Sequence, residues 1–91
     1  MPKFVIEREI PGIGSMSPEE LTGAAQKSCD AVGALGSRVQ WLESFVTADK
    51  VFCVFIAENE RAVAAHAELS GFPVHRVNKV ETVLDPTTAG V

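Results

Sequence analysis

Residues 39–58, VQWLESFVTADKVFCVFIAE, constrain this chain more than any other stretch. Two apolar runs rich in β-branched and aromatic residues flank Thr47, Ala48, Asp49 and Lys50. That is the pattern of an antiparallel hairpin closed by a short polar loop. The second run, residues 51–57, is apolar at every position, so it reads as a central strand covered on both faces. In the first run Val39, Trp41, Glu43 and Phe45 share one side, and Gln40, Leu42, Ser44 and Val46 the other. In the second, Val51, Cys53, Phe55 and Ala57 alternate with Phe52, Val54 and Ile56.

The remaining segments read as material paired beside this hairpin or packed on it. Residues 3–10 form a first strand, with Phe4, Ile6 and Arg8 on one side and Val5, Glu7 and Glu9 on the other. Pro11, Gly12, Ile13 and Gly14 end it in a turn. Ser17, Pro18 and Glu20 make a capping box with proline at the first helical position. The helix they start runs to about Leu35, where Gly36 stops it. Its apolar stripe is Leu21, Ala24, Ala25, Ser28, Val32 and Leu35, and its small residues suit close packing on a sheet. Asn59 caps a second helix over residues 60–70, ended by Gly71, with Ala62, Val63, His66, Ala67 and Leu69 inward. In residues 74–84 the apolar positions Val77, Val80 and Val83 recur every third residue. Either a bulge or two short strands kinked near Asn78 and Lys79 would produce that spacing. Residues 85–91 read as a tail.

The order β-α-β-β-α-β predicts an α+β, ferredoxin-like sandwich filling a single domain over residues 1–91. Its antiparallel sheet has four or five strands and carries both helices on one face. The other face is expected to bear Trp41, Phe45, Cys53 and Phe55, an apolar patch large enough to call for a homodimer through that face or the sheet edges. A chain of 91 residues buries a modest core, which makes such a partner useful.

A net charge of −4 argues against duplex nucleic acid as a partner, because phosphate binding needs a basic face. No apolar run is long enough to cross a bilayer. MPKFVIEREI places acidic residues where a signal peptide needs apolar ones, so a cytoplasmic location is expected, with no membrane partner. Cys29 and Cys53 lie far from CxxC spacing and read as small buried hydrophobes in a reducing compartment.

Two sets of side chains could carry chemistry. Glu7, Trp41, Glu43, Cys53 and Phe55 would line a ligand pocket on the open face, where two carboxylates over an apolar floor could yield a general acid or base. His66 and His75 flank the turn at Gly71, Phe72 and Pro73 and could bind nickel, zinc or copper, with Glu68, Glu81 and Asp85 as oxygen donors. The plainer reading leaves His66 at the edge of the core and His75 on the surface. No nucleophile elbow, Walker loop, dinucleotide fingerprint or HExxH motif is present.

Five segments carry a family likeness: MPKFVIEREIPG, QKSC, QWLESFVTADKVFCVFIAENE, GFPVHRV and ETVLDPTT. Together they resemble a family of small bacterial proteins long grouped as a domain of unknown function, over nearly the whole chain. The resemblance implies a ferredoxin-like fold, a homodimer, and nickel (Ni2+) held at the dimer surface for sequestration or detoxification. It also marks departures: Glu43 stands where relatives carry His, and Phe45 and Phe55 where they carry Tyr. Two functions follow as expectations. One is a dimeric, non-enzymatic nickel binder using His66 and His75. The other is a small-molecule-binding or cofactor-free enzymatic dimer, with Glu7 or Glu43 as base and Trp41 and Phe55 as apolar wall.

Overall fold

Strand β1 (Lys3–Glu9) runs through the middle of the sheet and pairs on both edges. The computed structural model of the protein describes residues 1–90. After β1 come helix α1 (Pro18–Leu35), strands β2 (Val39–Val46) and β3 (Lys50–Ala57), helix α2 (Glu60–Ser70) and strand β4 (Arg76–Lys79). The sheet order is β2-β3-β1-β4 with every pairing antiparallel, which is the ferredoxin-like arrangement.

Both helices start and stop where their capping residues dictate. The Ser17 hydroxyl accepts the Glu20 N–H at 3.2 Å, and the Glu20 carboxylate accepts the Ser17 N–H at 3.1 Å. The Asn59 side chain accepts the Ala62 N–H at 3.0 Å. Gly71 ends α2 at φ 79°, a left-handed backbone that a side chain would strain. In α2 the inward face is Ala62, Val63, His66, Ala67 and Ser70, while Leu69 turns to solvent. Cys29 is exposed rather than buried; Cys53 is buried as expected. The last extended stretch resolves into the four residues of β4, and a short 3-10 turn at Pro86–Ala89 interrupts the predicted tail. Val91 lies outside the described residues.

The expected assignment of faces is reversed on β3. Phe4 lies opposite Phe55, and Ile6 opposite Cys53. Directly paired residues share a face of the sheet. Phe4 and Ile6 are buried beneath the helices, so Phe55 and Cys53 are buried with them. The open face instead carries Val5, Glu7, Phe52, Val54 and Ile56, all half-buried, and Phe45. On β2 a bulge between Trp41 and Glu43 breaks the alternation: Trp41 pairs with Phe55, but Glu43 pairs with Val54. One inserted residue flips everything after it. Trp41 therefore faces the helices, Glu43 and Phe45 face away, and Ser44 comes round to accept the Trp41 indole N–H at 3.0 Å.

The chain between β1 and α1 clasps the hairpin loop. Ile10 N–H donates to the Asp49 carbonyl at 2.9 Å, Gly12 N–H to the Asp49 side chain at 2.9 Å, and Gly14 N–H to the Ala48 carbonyl at 3.0 Å. At Gly14 a Cβ would stand 2.7 Å from the Thr47 carbonyl oxygen and 2.9 Å from the Ala48 Cα. Both are backbone atoms, so neither can swing aside. Gly14→Ala is expected to lower stability by about 1–3 kcal/mol, read as a lower midpoint in urea unfolding. An unchanged midpoint would mean that the loop and the turn part without cost.

Candidate functional site

Helix α1 presents Ala24, Ala25 and Ser28 to the sheet, and these short side chains leave the space below them unfilled. The result is a cavity of about 220 Å³ between α1 and the helix-side face of the sheet. Its walls are mostly apolar and include Ile10, Ile13, Leu21, Trp41, Phe55 and Phe72. The polar groups that reach it are Arg8, Ser28, Ser44, Cys53 and His66.

Arg8 is the unusual member. It follows Phe4 and Ile6 on the inward side of β1 and is only 1% exposed. Its Nε–H donates to the Cys53 sulfur at 3.4 Å and its Nη1 to the Pro73 carbonyl at 3.0 Å. The guanidinium carbon lies 5.7 Å from the centre of the Phe72 ring. Nη2 is buried and has no partner. Among the described residues no carboxylate forms an ion pair with Arg8; the recorded pairs involve Arg38, Lys50, His75 and Arg76.

His66 lies beside it, fully buried. Its Nε2 is 3.0 Å from the Ser28 hydroxyl, and its ring meets Phe55 edge-on with centroids 4.6 Å apart. Its Nδ1 has no partner. Burial, and then the positive charge of Arg8, push the His66 pKa below the usual imidazole value, against the opposing pull of a hydrogen bond to the Ser28 backbone. Both of these effects favour the neutral ring.

The five residues expected to share an open-face pocket are divided by the sheet. Trp41, Cys53 and Phe55 line the cavity on the helix side. Glu7 and Glu43 are on the opposite face, in different rows: Glu43 lies in line with Val54 and Val5, Glu7 with Phe52 and Phe45. Two strand spacings separate them sideways, so their backbones are roughly 10 Å or more apart. Glu7 is engaged instead by Lys50 at 3.1 Å and Arg76 at 3.8 Å.

The two histidines take different partners. His75 is half-exposed where β4 begins, and its Nδ1 accepts the Glu9 N–H at 2.9 Å. Its Nε2 is 3.9 Å from the Glu9 carboxylate. Glu68, Glu81 and Asp85 are exposed. Asp85 caps the turn at Pro86–Ala89, and hydrogen bonds from Thr87 hold its carboxyl below the ordinary range. Among the described residues no three His, Cys, Asp or Glu side chains gather into a metal-binding group. Sequence reasoning passed over Arg8, although its signal was present: a lone cation at an inward position of a strand whose other inward residues are Phe4 and Ile6.

A family model described as nickel responsive protein, SCO4226-like, matches residues 4–80. The crystal structure of SCO4226 from Streptomyces coelicolor A3(2) is similar with a TM-score of 0.75, covering 90% of this chain and 99% of that one. The two are 14% identical, so the likeness establishes the fold and leaves the site to this chain's own residues. No curated protein matches the chain.

The environment of His66 gives a pH signature. With its pKa depressed in the fold, the unfolded chain binds the extra proton, so stability rises with pH through that interval. The contribution is complete above the ordinary imidazole value of about 6.5 and is lost as pH falls toward the folded value. Thermal unfolding followed from pH 7.5 to 5 should show the native protein losing stability below about 6.5 by more than His66→Gln does. Parallel curves would show that the ring is not held neutral.

Proposed function

This chain belongs to the nickel-responsive SCO4226-like family, and from that premise we propose that it is a small nickel-binding homodimer carrying the ion as cargo on its surface. The supporting observation is the pair His75 and Glu9, an imidazole and a carboxylate 3.9 Å apart with side chains 42% and 57% exposed. Imidazole nitrogen with carboxylate oxygen is a donor set that suits nickel. One chain brings too few donors to enclose the ion, so a second copy and water complete its coordination. His66 has no part in this: a dication placed beside it would meet the buried Arg8 charge at close range.

Binding has a cost that the geometry defines. The His75 Nδ1 lone pair already accepts the Glu9 N–H, so the proton of the neutral ring is on Nε2. The ring must turn away from that bond to offer a nitrogen to metal. The site therefore takes nickel reversibly, as suits cargo. Protons compete with it, because imidazole ligates only when neutral.

The open sheet face supports the dimer. Val5, Phe52, Val54 and Ile56 form an apolar band, and Phe45 beside it is 54% exposed. Covering that band would bury surface that one small chain leaves wet.

Two measurements test the reading. In calorimetric titration with nickel, His75→Ala should abolish binding, Glu9→Gln should weaken it by about tenfold or more, and His66→Gln should leave it unchanged. Nickel binding that survives His75→Ala would refute the assignment. In sedimentation, the native protein should run as a dimer and Val54→Asp as a folded monomer; a variant that stays dimeric would place the interface elsewhere.

A further inference from the structure

We propose that the cavity between α1 and the sheet binds a small organic monoanion, a carboxylate on an apolar body, with Arg8 as the residue that holds it. This site is separate from the nickel reading and does not rest on it: the ion proposed there is a cation at an exposed rim, and the ligand here is an anion in the interior.

The argument starts from charge. A guanidinium does not give up its proton in a protein, so Arg8 is a full positive charge wherever it is buried. An isolated buried charge is costly, and a fold meets that cost with a counter-charge. No carboxylate of this chain supplies one among the described residues. Of the five N–H donors of the guanidinium, one meets the Cys53 sulfur and one the Pro73 carbonyl, while the Nη2 pair is buried without a partner. Arg8 borders the cavity, and the missing acceptor would enter there.

A second donor is available. When the Ser28 hydroxyl donates to His66 Nε2, the ring proton is on Nδ1, which is also buried and unpartnered. A carboxylate has two oxygens and lone pairs enough for the Nη2 pair and for an N–H from a neutral imidazole. The charge count selects a monoanion, because Arg8 brings one positive charge and His66 none. A dianion such as phosphate would trade an unpaired cation for a net negative charge in the same apolar surroundings.

The walls select the rest of the molecule. Ile10, Ile13, Leu21, Trp41, Phe55 and Phe72 offer hydrocarbon and aromatic contacts. A volume of about 220 Å³ is below the range of drug-sized pockets, so the body is a short aliphatic chain or a single ring.

The chain's only tryptophan lines the cavity, so its fluorescence reports occupancy directly. The full chain is titrated with hexanoate, with 1-hexanol as the uncharged comparator and inorganic phosphate as the anion without an apolar body. Hexanoate should change the Trp41 emission saturably, and the other two should not. Arg8→Met should weaken hexanoate by about tenfold or more, yet raise the unfolding temperature of the ligand-free protein, because it removes an uncompensated buried charge. Ala25→Leu, which fills the cavity and leaves Arg8 in place, should abolish the response while circular dichroism stays native. The proposal is overturned if neither hexanoate nor benzoate saturates, or if 1-hexanol or phosphate binds as well as hexanoate. It is equally overturned if Arg8→Met lowers the unfolding temperature, the mark of a purely structural arginine, or if Ala25→Leu binds normally.

Discussion

The pairing of β1 with β3 decides the rest of this molecule. Ile6 opposite Cys53 and Phe4 opposite Phe55 put the larger inward side chains of two central strands on one face. Each such side chain contributes about 1.5–3 kcal/mol when taken fully out of water, and a shift of one residue would send all of them to the other side. The helices must then lie over that face. The same register carries Arg8 inward opposite Val51 and turns Glu7 outward opposite Phe52. The buried cation and the exposed, ion-paired carboxylate thus follow from one alignment of two strands.

That inward position makes the electrostatics of the interior unusual. Arg8 and His66 approach one another beneath the helices with no carboxylate between them, and the charge of the first helps keep the second neutral. Around them the packing is loose, because α1 brings alanines and a serine where longer side chains would close the gap. The bulge at Leu42 joins the same region: it turns Trp41 toward the cavity and brings Ser44 round to meet the indole N–H. Loose packing, an uncompensated charge and unpartnered donors all work against stability. Their coincidence in one place is what separates this cavity from an ordinary packing defect.

The two proposed sites draw on different charged groups. The interior cavity holds a positive charge and suits anions. The rim where β4 begins beside the end of β1 holds His75 with Glu9, and the neighbouring open face holds Glu7 between Lys50 and Arg76. On the readings proposed above, a cation would bind at that rim and an anion in the cavity. Low identity to SCO4226 is no obstacle to shared architecture, because the fold depends on alternation, capping and register, while ligands depend on individual side chains.

The sequence by itself determined the element order, the helix ends and the ferredoxin-like topology. Those signals are local: Ser17 with Glu20, Asn59, Gly36 and Gly71 act on backbone groups a few residues away. It also placed Arg8 beside Phe4 and Ile6, since alternation along a single strand is enough for that. Which face of β3 meets the helices was beyond it. Both faces of that strand are apolar, so composition carries no sign, and the choice rests on register with β1, a contact some fifty residues away in the chain. The bulge was hidden for the same reason, as Leu42 looks like any other strand residue until its partner strand is in place. Only the tertiary structure parted Glu7 and Glu43 from Trp41, Cys53 and Phe55, enclosed Arg8 without a counter-charge, and set Gly14 against the hairpin loop. Each of these is a long-range contact, and long-range contacts are created by folding, not written in any one segment.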